Sequence, residues 1–414
     1  MKLFKVVVAA LVMVGMALPV IAEDRLSLSG EMRVRGWYRD IDKSTSTTNQ
    51  TATWGDQRLR VGGKIAVAEG VSITFRTDIT ESEWGTTGSG NGFGSGRSGA
   101  NQQWDRAHID LNKGNFHLRA GQYYVGYGLS YTVDTQDNGV SMDYKFGDVP
   151  VNAFYILDNN NEGTAASETG NNADAWLAGA KVSPKFDKVA LDVFVANYKG
   201  GNNKAPNVQL IGADVTANFD AIKVMAEIDF FTGDAADNAQ GSVDAIGTQG
   251  FVDVGFAASD ALTIGGQVYY ALGTDKDDEE QYVILGNGFG GWDPIFDVGT
   301  SLSNEETADW TNPYGAFGSN TGVQAGRLYG SFKLGADTKI GASVAYLEPQ
   351  EDNGPNNTKL TTIDHAVAST IGVVYSLMEN TTLEAQYAYL SIDDDDNSKA
   401  DYKAIGGIGL FVRF

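Results

Sequence analysis

The sequence predicts an all-β fold, a transmembrane antiparallel up-and-down β-barrel of about 18 strands with short turns at one end and long loops at the other. Three observations lead there. Apolar and polar residues alternate with a period of two along most of the chain, which marks strands with one apolar face. Connections sort by parity: those after even-numbered strands are tight turns, and those after odd-numbered strands are longer. Outward-facing aromatics fall into two bands that bracket Leu, Val, Ile, Ala and Gly, as an interfacial belt requires.

Composition agrees. The chain has 414 residues, with 51 Gly and only 8 Pro beside 18 Tyr, 19 Phe and 7 Trp, which suits many strands meeting at short turns. There is no cysteine, so disulfides and thiolate metal sites are excluded. A net charge of −23 argues against nucleic acid as a partner. Met1, Lys2 and Lys5 followed by an apolar run to Ala22 have the layout of a cleaved export signal. Residues 1–22 are therefore expected to be a signal peptide, and 23–414 one barrel domain. No other stretch is long and apolar enough to be a spanning helix.

Strand one is expected over 25–40, with Leu26, Leu28, Met32 and Val34 on one face and Glu31, Arg33, Arg35 and Trp37 on the other. Strands two and three (58–67 and 71–80) meet at Ala68-Glu69-Gly70 and send Arg58, Arg60, Lys64 and Arg76 to the polar face. A Gly/Ser-rich loop precedes strand four (104–111), which turns at Asn112 to Asn115 into strand five (116–122). Strands six to nine are expected at 140–146, 151–157, 175–182 and 189–198. Strands ten to thirteen follow at 208–219, 222–231, 251–258 and 262–272. The longest loop, 273–323, is expected to lie outside the barrel. Strands fourteen to seventeen are expected at 326–334, 339–347, 368–377 and 383–391.

The last strand runs from Tyr402 to Phe414, and Tyr402, Ile408, Leu410, Val412 and Phe414 share its apolar face. A terminal Phe on an alternating strand resembles the signal by which Gram-negative outer-membrane barrels are recognised for assembly. Outward aromatics near the short-turn end include Phe146, Phe219, Phe256, Tyr375 and Phe414. Those near the long-loop end include Tyr38, Tyr155, Phe230, Tyr270, Tyr346 and Tyr389. Closure follows because an open sheet edge in hydrocarbon leaves backbone groups unpaired.

Eighteen strands enclose a lumen too wide for side chains to fill. The face opposite the apolar one lines it. On the first five strands that face is basic: Arg33, Arg35, Arg58, Arg60, Arg76, Arg106 and Arg119, with Lys64, His108 and His117 among them. Later strands supply a more acidic set that includes Asp192, Asp214, Glu227, Asp229 and Asp253. Such a wall-to-wall contrast orients and filters polar solutes. By parity, Trp37, Trp104, Tyr123, Tyr269 and Tyr329 also face inward or nearly so. The segment 123–139 is aromatic and apolar for a solvent-exposed loop, so it is expected to fold inside as a constriction. Its Asp134 and Asp137 are expected to face Arg58, Arg60, Arg76 and Arg119.

This layout resembles the bacterial outer-membrane porins, in which the third long loop folds into the barrel and its acids face an arginine ladder. The stretch Leu118-Arg119-Ala120-Gly121-Gln122 is similar to the Gly-Arg-Gln of several porin groups, although the Arg between Gly and Gln is missing here. The strand number resembles the substrate-preferring channels more than the general porins with fewer strands. The resemblance implies a water-filled outer-membrane channel for small hydrophilic solutes and ions, in the form of a homotrimer, with lipid, lipopolysaccharide and the barrel-assembly machinery as partners. A structural or adhesive barrel is the alternative, and a barrel enzyme a weaker one. Only three histidines are present, His108, His117 and His365, and none has a recognisable nucleophile partner, so no catalysis and no cofactor are expected. The acidic runs Asp275 to Glu280 and Asp393 to Asp396 are expected to hold Ca²⁺ or Mg²⁺ loosely at most.

Overall fold

A computed structural model describes residues 25–42, 50–84, 103–130, 132–159, 175–200, 206–238, 241–274, 281–282, 297–302, 321–354, 358–395 and 402–414. The expected signal segment 1–22 lies outside the described residues. Eighteen long strands carry the fold: β1 (Leu26–Asp42), β2 (Gln50–Ala68), β3 (Val71–Glu83), β4 (Gln103–Lys113), β5 (Phe116–Tyr127), β6 (Val133–Phe146), β7 (Val149–Asn159), β8 (Ala175–Val182), β9 (Val189–Lys199), β10 (Asn207–Phe219), β11 (Ile222–Asn238), β12 (Gly241–Ala257), β13 (Leu262–Ala271), β14 (Val323–Leu334), β15 (Thr338–Glu348), β16 (Ile363–Met378), β17 (Thr381–Asp394) and β18 (Tyr402–Arg413). Each pairs antiparallel with its sequence neighbours, and β18 pairs with β1 from Asp42↔Tyr402 to Glu31↔Arg413. The sheet therefore closes on itself and leaves no long edge in the hydrocarbon.

Phe414 completes the seam. Its N–H donates to the Gly30 carbonyl at 3.0 Å, and Gly30 N–H donates back to the Phe414 carbonyl at 2.7 Å. Ile408, Leu410, Val412 and Phe414 are exposed on the outer face, and the Tyr402 hydroxyl reaches Asp40 at 3.1 Å. The aromatics expected at the two girdles, among them Tyr38, Phe146, Phe219, Phe230, Phe256, Tyr346 and Tyr389, are likewise exposed.

The short turns follow the even strands and have the backbone that tight hairpins need. Gly70, Gly114, Gly147 and Gly335 have positive φ, and where another residue adopts it the position holds Asp187, Asp220 or Asn380. Asp and Asn tolerate the left-handed region better than bulkier residues.

Strand boundaries extend past the expected ones on the long-loop side. β11 and β12 stay paired out to Asn238↔Gly241, so most of the expected loop between them is a projecting ribbon. Beyond the membrane a ribbon needs no apolar outer face, so alternation fades before pairing ends. A bulge in the β3–β4 ladder corrects one side chain. Arg76 pairs with Arg106 but Thr77 pairs with Trp104, which leaves Asp105 as the extra residue. Trp104 is thereby turned outward against Phe75, and Asp105 points in to bind Arg76.

Candidate functional site

Among the described residues, two segments enter the lumen. The first is the upper half of β5 and β6. β4 pairs with β5 only as far as Ala107↔Gln122, and β7 pairs with β6 only from Asn138↔Leu157. Between these limits β5 and β6 pair with each other alone, from Tyr123↔Asp137 to Tyr127↔Val133. This hairpin leaves the wall at the facing pair Gly121↔Gly139. A Cβ on Gly121, whose φ is +125°, would overlap the Ala107 carbonyl oxygen, and one on Gly139 would overlap that of Tyr155. Side chains there would hold the strands apart, so glycine permits the bend.

The inner surface that receives the hairpin is apolar. Tyr123, Val125, Tyr127 and Val133 are buried against Phe154, Ile156, Leu177, Phe194, Leu210 and Phe231 from β7 to β11. Removing each such side chain from water contributes about 1.5–3 kcal/mol. Period-two alternation puts these aromatics and aliphatics inside the barrel, where a simple water-filled pore would want polar groups. The hairpin covers them. At its tip Leu129 adopts φ +54°. Thr132 Oγ1 there lies 2.5 Å from Glu227 Oε1 and 2.6 Å from Asp229 Oδ2.

Asp134 lies beside the Tyr124 hydroxyl, and Asp137 Oδ1 accepts from the Asn138 N–H at 2.7 Å. The arginines are met by acids of the wall itself. Arg60 makes a two-point contact with Asp78 (2.6 and 3.0 Å), and Arg35 meets Asp56 at 2.8 Å. Arg33 meets Glu81 at 2.8 Å, Arg58 meets Glu31 at 3.3 Å, and Arg119 meets Asp110 at 3.2 Å. Arg76 binds Asp105, and Arg106 lies 5.9 Å over the Tyr124 ring. Cross-strand ladders put these pairs side by side, so a wall acid reaches an arginine more cheaply than a hairpin acid does.

The second segment, 297–302, comes from the longest loop, which the sequence placed outside. Val298 and Leu302 are buried inside the barrel. Ser301 N–H donates to Glu384 Oε2 at 2.5 Å and its hydroxyl to Glu384 Oε1 at 3.2 Å. Thr300 binds Gln386, Arg327 donates to the Asp297 carbonyl, and Arg413 donates to the Ser301 hydroxyl at 3.0 Å. Gly341 and Gly372 make room, since a Cβ on either would overlap Val298. Glu384 lies near the start of β17 and Arg413 ends β18, so this loop reaches the half of the lumen nearer the short turns. Six residues (Asp-Val-Gly-Thr-Ser-Leu) carry too little periodicity to announce an inward turn. The one available signal was Gly341 and Gly372 on lumen-facing positions of otherwise well-patterned strands.

Three cavities surround these segments. One of about 390 Å³ is lined by Arg33, Arg58 and Arg413 against Glu31 and Asp297. A second of about 370 Å³ has Lys64, Arg106 and Arg119 with His108 and His117 against Asp110. His117 bridges Asp110 and Asp143, at 2.9 Å from each. A third of about 380 Å³ has Arg327 and Lys339 against Asp253 and Asp297, and both Leu129 and Val298 line it, so the two inward segments meet there. Asp297 is a loop acid that shares a cavity with the arginine wall, the place expected for Asp134 and Asp137. Across the lumen Asp214, Glu227, Asp229 and Asp253 are all buried.

At the long-loop end, outside the spanning part, His365 Nδ1 lies 3.0 Å from Asp364 and 3.7 Å from Asp393. Burial, with Asp364 and Asp395 nearby, raises the Asp352 carboxyl above its ordinary range. The acidic run 275–280 lies outside the described residues.

The sequence matches the profile of the Gram-negative porins over residues 8–288. No curated protein matches it. Among solved structures it is similar to OccAB2 of Acinetobacter baumannii, with 12% identity, TM-score 0.60, and 94% of this chain and 98% of that one covered. OccK11 (OpdR) of Pseudomonas aeruginosa gives 10% identity and TM-score 0.57, over 95% of this chain and 96% of that one. The DcaP channel of Acinetobacter baumannii gives 14% identity and TM-score 0.50, over 94% and 97%. At such identities the likeness is one of fold.

Proposed function

The chain belongs to the Gram-negative porin family, an outer-membrane β-barrel channel for small solutes, and from that premise we propose that its passage favours anions. The observation that carries this is the sorting of charge by cavity. Cations outnumber acids in the cavity of Arg33, Arg58 and Arg413, and again in that of Lys64, Arg106 and Arg119. Arg106 and Arg119 keep 36% and 33% of their side chains exposed, whereas Asp214, Glu227, Asp229 and Asp253 are buried, so a passing solute meets the basic side of that cavity. A net negative molecule is compatible with an anion path, because a water-filled lumen responds to the charges lining it and salt screens the remainder within about 10 Å.

Asp297 then tempers the basic wall where the hairpin tip and the 297–302 segment share a cavity. The solute class that fits is small carboxylates and other compact anions with hydrogen-bonding groups. Removal of residues 1–22 on export and assembly as a homotrimer in a lipopolysaccharide-bearing membrane belong to the same proposal. The test is the reversal potential of the purified protein in a planar bilayer under a salt gradient. An anion-selective potential that moves toward cation selectivity in Arg33→Gln/Arg58→Gln supports it. A cation-selective wild type would overturn it.

A further inference from the structure

The contact between the hairpin tip and the acidic wall has a proton count that does not close with ionised carboxylates. Thr132 carries one hydroxyl hydrogen. Its oxygen lies 2.5 Å from Glu227 Oε1 and 2.6 Å from Asp229 Oδ2, both lengths of a strong O–H···O bond. Gln249 Nε2 already donates to the same hydroxyl oxygen at 3.0 Å and to Asp229 Oδ2 at 3.2 Å. Two short contacts at one hydroxyl need two hydrogens, and among the described residues the second comes from a carboxyl. The docked hairpin therefore holds a proton on the Glu227–Asp229 pair.

The surroundings reinforce the count. Glu227 and Asp229 are 5% and 1% exposed, and Glu227 Oε2 and Asp229 Oδ1 have no hydrogen-bond partner among the described residues. A buried anionic oxygen without a donor is costly, so full ionisation is incompatible with this packing. The groups facing the pair do not supply the missing positive charge. Asp214 on β10 and Asp253 on β12 add negative charge. Lys181 on β8 is bound to Asp192 of β9 at 2.8 Å, and Lys223 of β11 faces Asp253. Tyr269 on β13 binds Gln249 at 3.4 Å, and on the hairpin Tyr127 binds Asn152 of β7 at 2.5 Å.

The hairpin also has a place to bend. Gly121 and Gly139 face each other where it leaves the wall, and beyond Gln122 and Asn138 it has no flanking strand partner among the described residues.

We infer that the β5–β6 hairpin is a proton-latched flap, docked on the acidic wall while Glu227 and Asp229 share a proton and released as rising pH removes it. The sign follows from the geometry. Docking requires the protonated pair, so it is complete in acid and weakens toward alkaline pH. Once the proton is gone, the two charges repel each other and only one of the two short contacts to Thr132 keeps a hydrogen. The apolar face of Tyr123, Val125 and Tyr127 then separates from its wall, and the tip swings into the passage.

The experiment compares wild type, Glu227→Gln/Asp229→Asn and Thr132→Val between about pH 5 and about pH 9, a span that brackets the titration of perturbed carboxyls. Folding of each is checked by the mobility difference of boiled and unboiled samples on a gel. Two readouts are taken: brief closures of single channels, and hydrogen exchange at amides 123–127 and 133–137 corrected for the intrinsic pH dependence. In the wild type, closures should be rare in acid and severalfold more frequent in alkali, with exchange rising in parallel. The double amide variant should stay quiet and protected at every pH. Thr132→Val should show closures and fast exchange throughout. Protection in the wild type that does not change with pH, or a double amide variant that follows the wild type, would overturn the latch. The current readout rests on the channel function proposed above, but the exchange readout does not. Absence of any conductance with pH-dependent exchange would sink the channel and keep the latch.

Discussion

At the scale of single residues, Asp297 and the two hinge glycines carry the most specific consequences. Asp297 lines two cavities and faces Arg33, Arg58 and Arg413 in one of them. Asp297→Asn should raise the anion-to-cation permeability ratio by about twofold or more, read from the reversal potential, because its carboxylate is the acid that this loop brings to the arginine wall. Gly139→Val addresses geometry instead of charge. A Cβ there overlaps the Tyr155 carbonyl oxygen, so the substitution must push β6 from β7. The expected cost is about 1–3 kcal/mol in denaturant unfolding, with the hairpin displaced and conductance altered. A variant as stable as the wild type and with unchanged conductance would show that the bend does not depend on this position.

At the scale of elements, the hairpin and the 297–302 segment are held by different forces, and the forces predict different failures. The hairpin rests on apolar burial. Leu177→Ala removes one of its fully covered partners on β8 and should cost about 2–5 kcal/mol, since a cavity is left beneath Tyr127 and its neighbours. The 297–302 segment rests on hydrogen bonds to Glu384 and Gln386. Glu384→Ala should free Ser301 with little loss of barrel stability and increase single-channel conductance. An unchanged conductance would mean that the segment does not narrow the passage. The same contrast explains what could be read from sequence. The aromatic and apolar character of 123–139 announced that it belongs inside, because Tyr123, Val125 and Tyr127 continue the lumen-facing parity of β5. That it stays paired as a hairpin was hidden, since Gly121 and Gly139 interrupt the outward pattern where pairing with the wall ends. The acids that the ladder register sets opposite Arg58, Arg60 and Arg119 are Glu81, Asp78 and Asp110, a pairing that parity within one strand does not reveal. The 297–302 segment was invisible because its anchoring is made by backbone and side-chain contacts over more than eighty residues of separation.

At the scale of the whole molecule, the chain builds a closed wall and then fills part of it with its own loops. The wall was legible almost strand for strand, because lipid on one side and water on the other impose the period of two that a single sequence reveals. Trp104 is the instructive exception: one extra residue at Asp105 flips it to the outer face. The filling was only partly legible, since inside the barrel both polar and apolar faces are allowed and only the mating surface decides which is used. One measurement tests the proposed passage most directly. Single-channel currents of the refolded protein should be recorded in a planar bilayer across a potassium chloride gradient. The barrel described here should give discrete steps with a reversal potential of anionic sign. A folded barrel that gives no steps, or steps that reverse on the cation side, would contradict it.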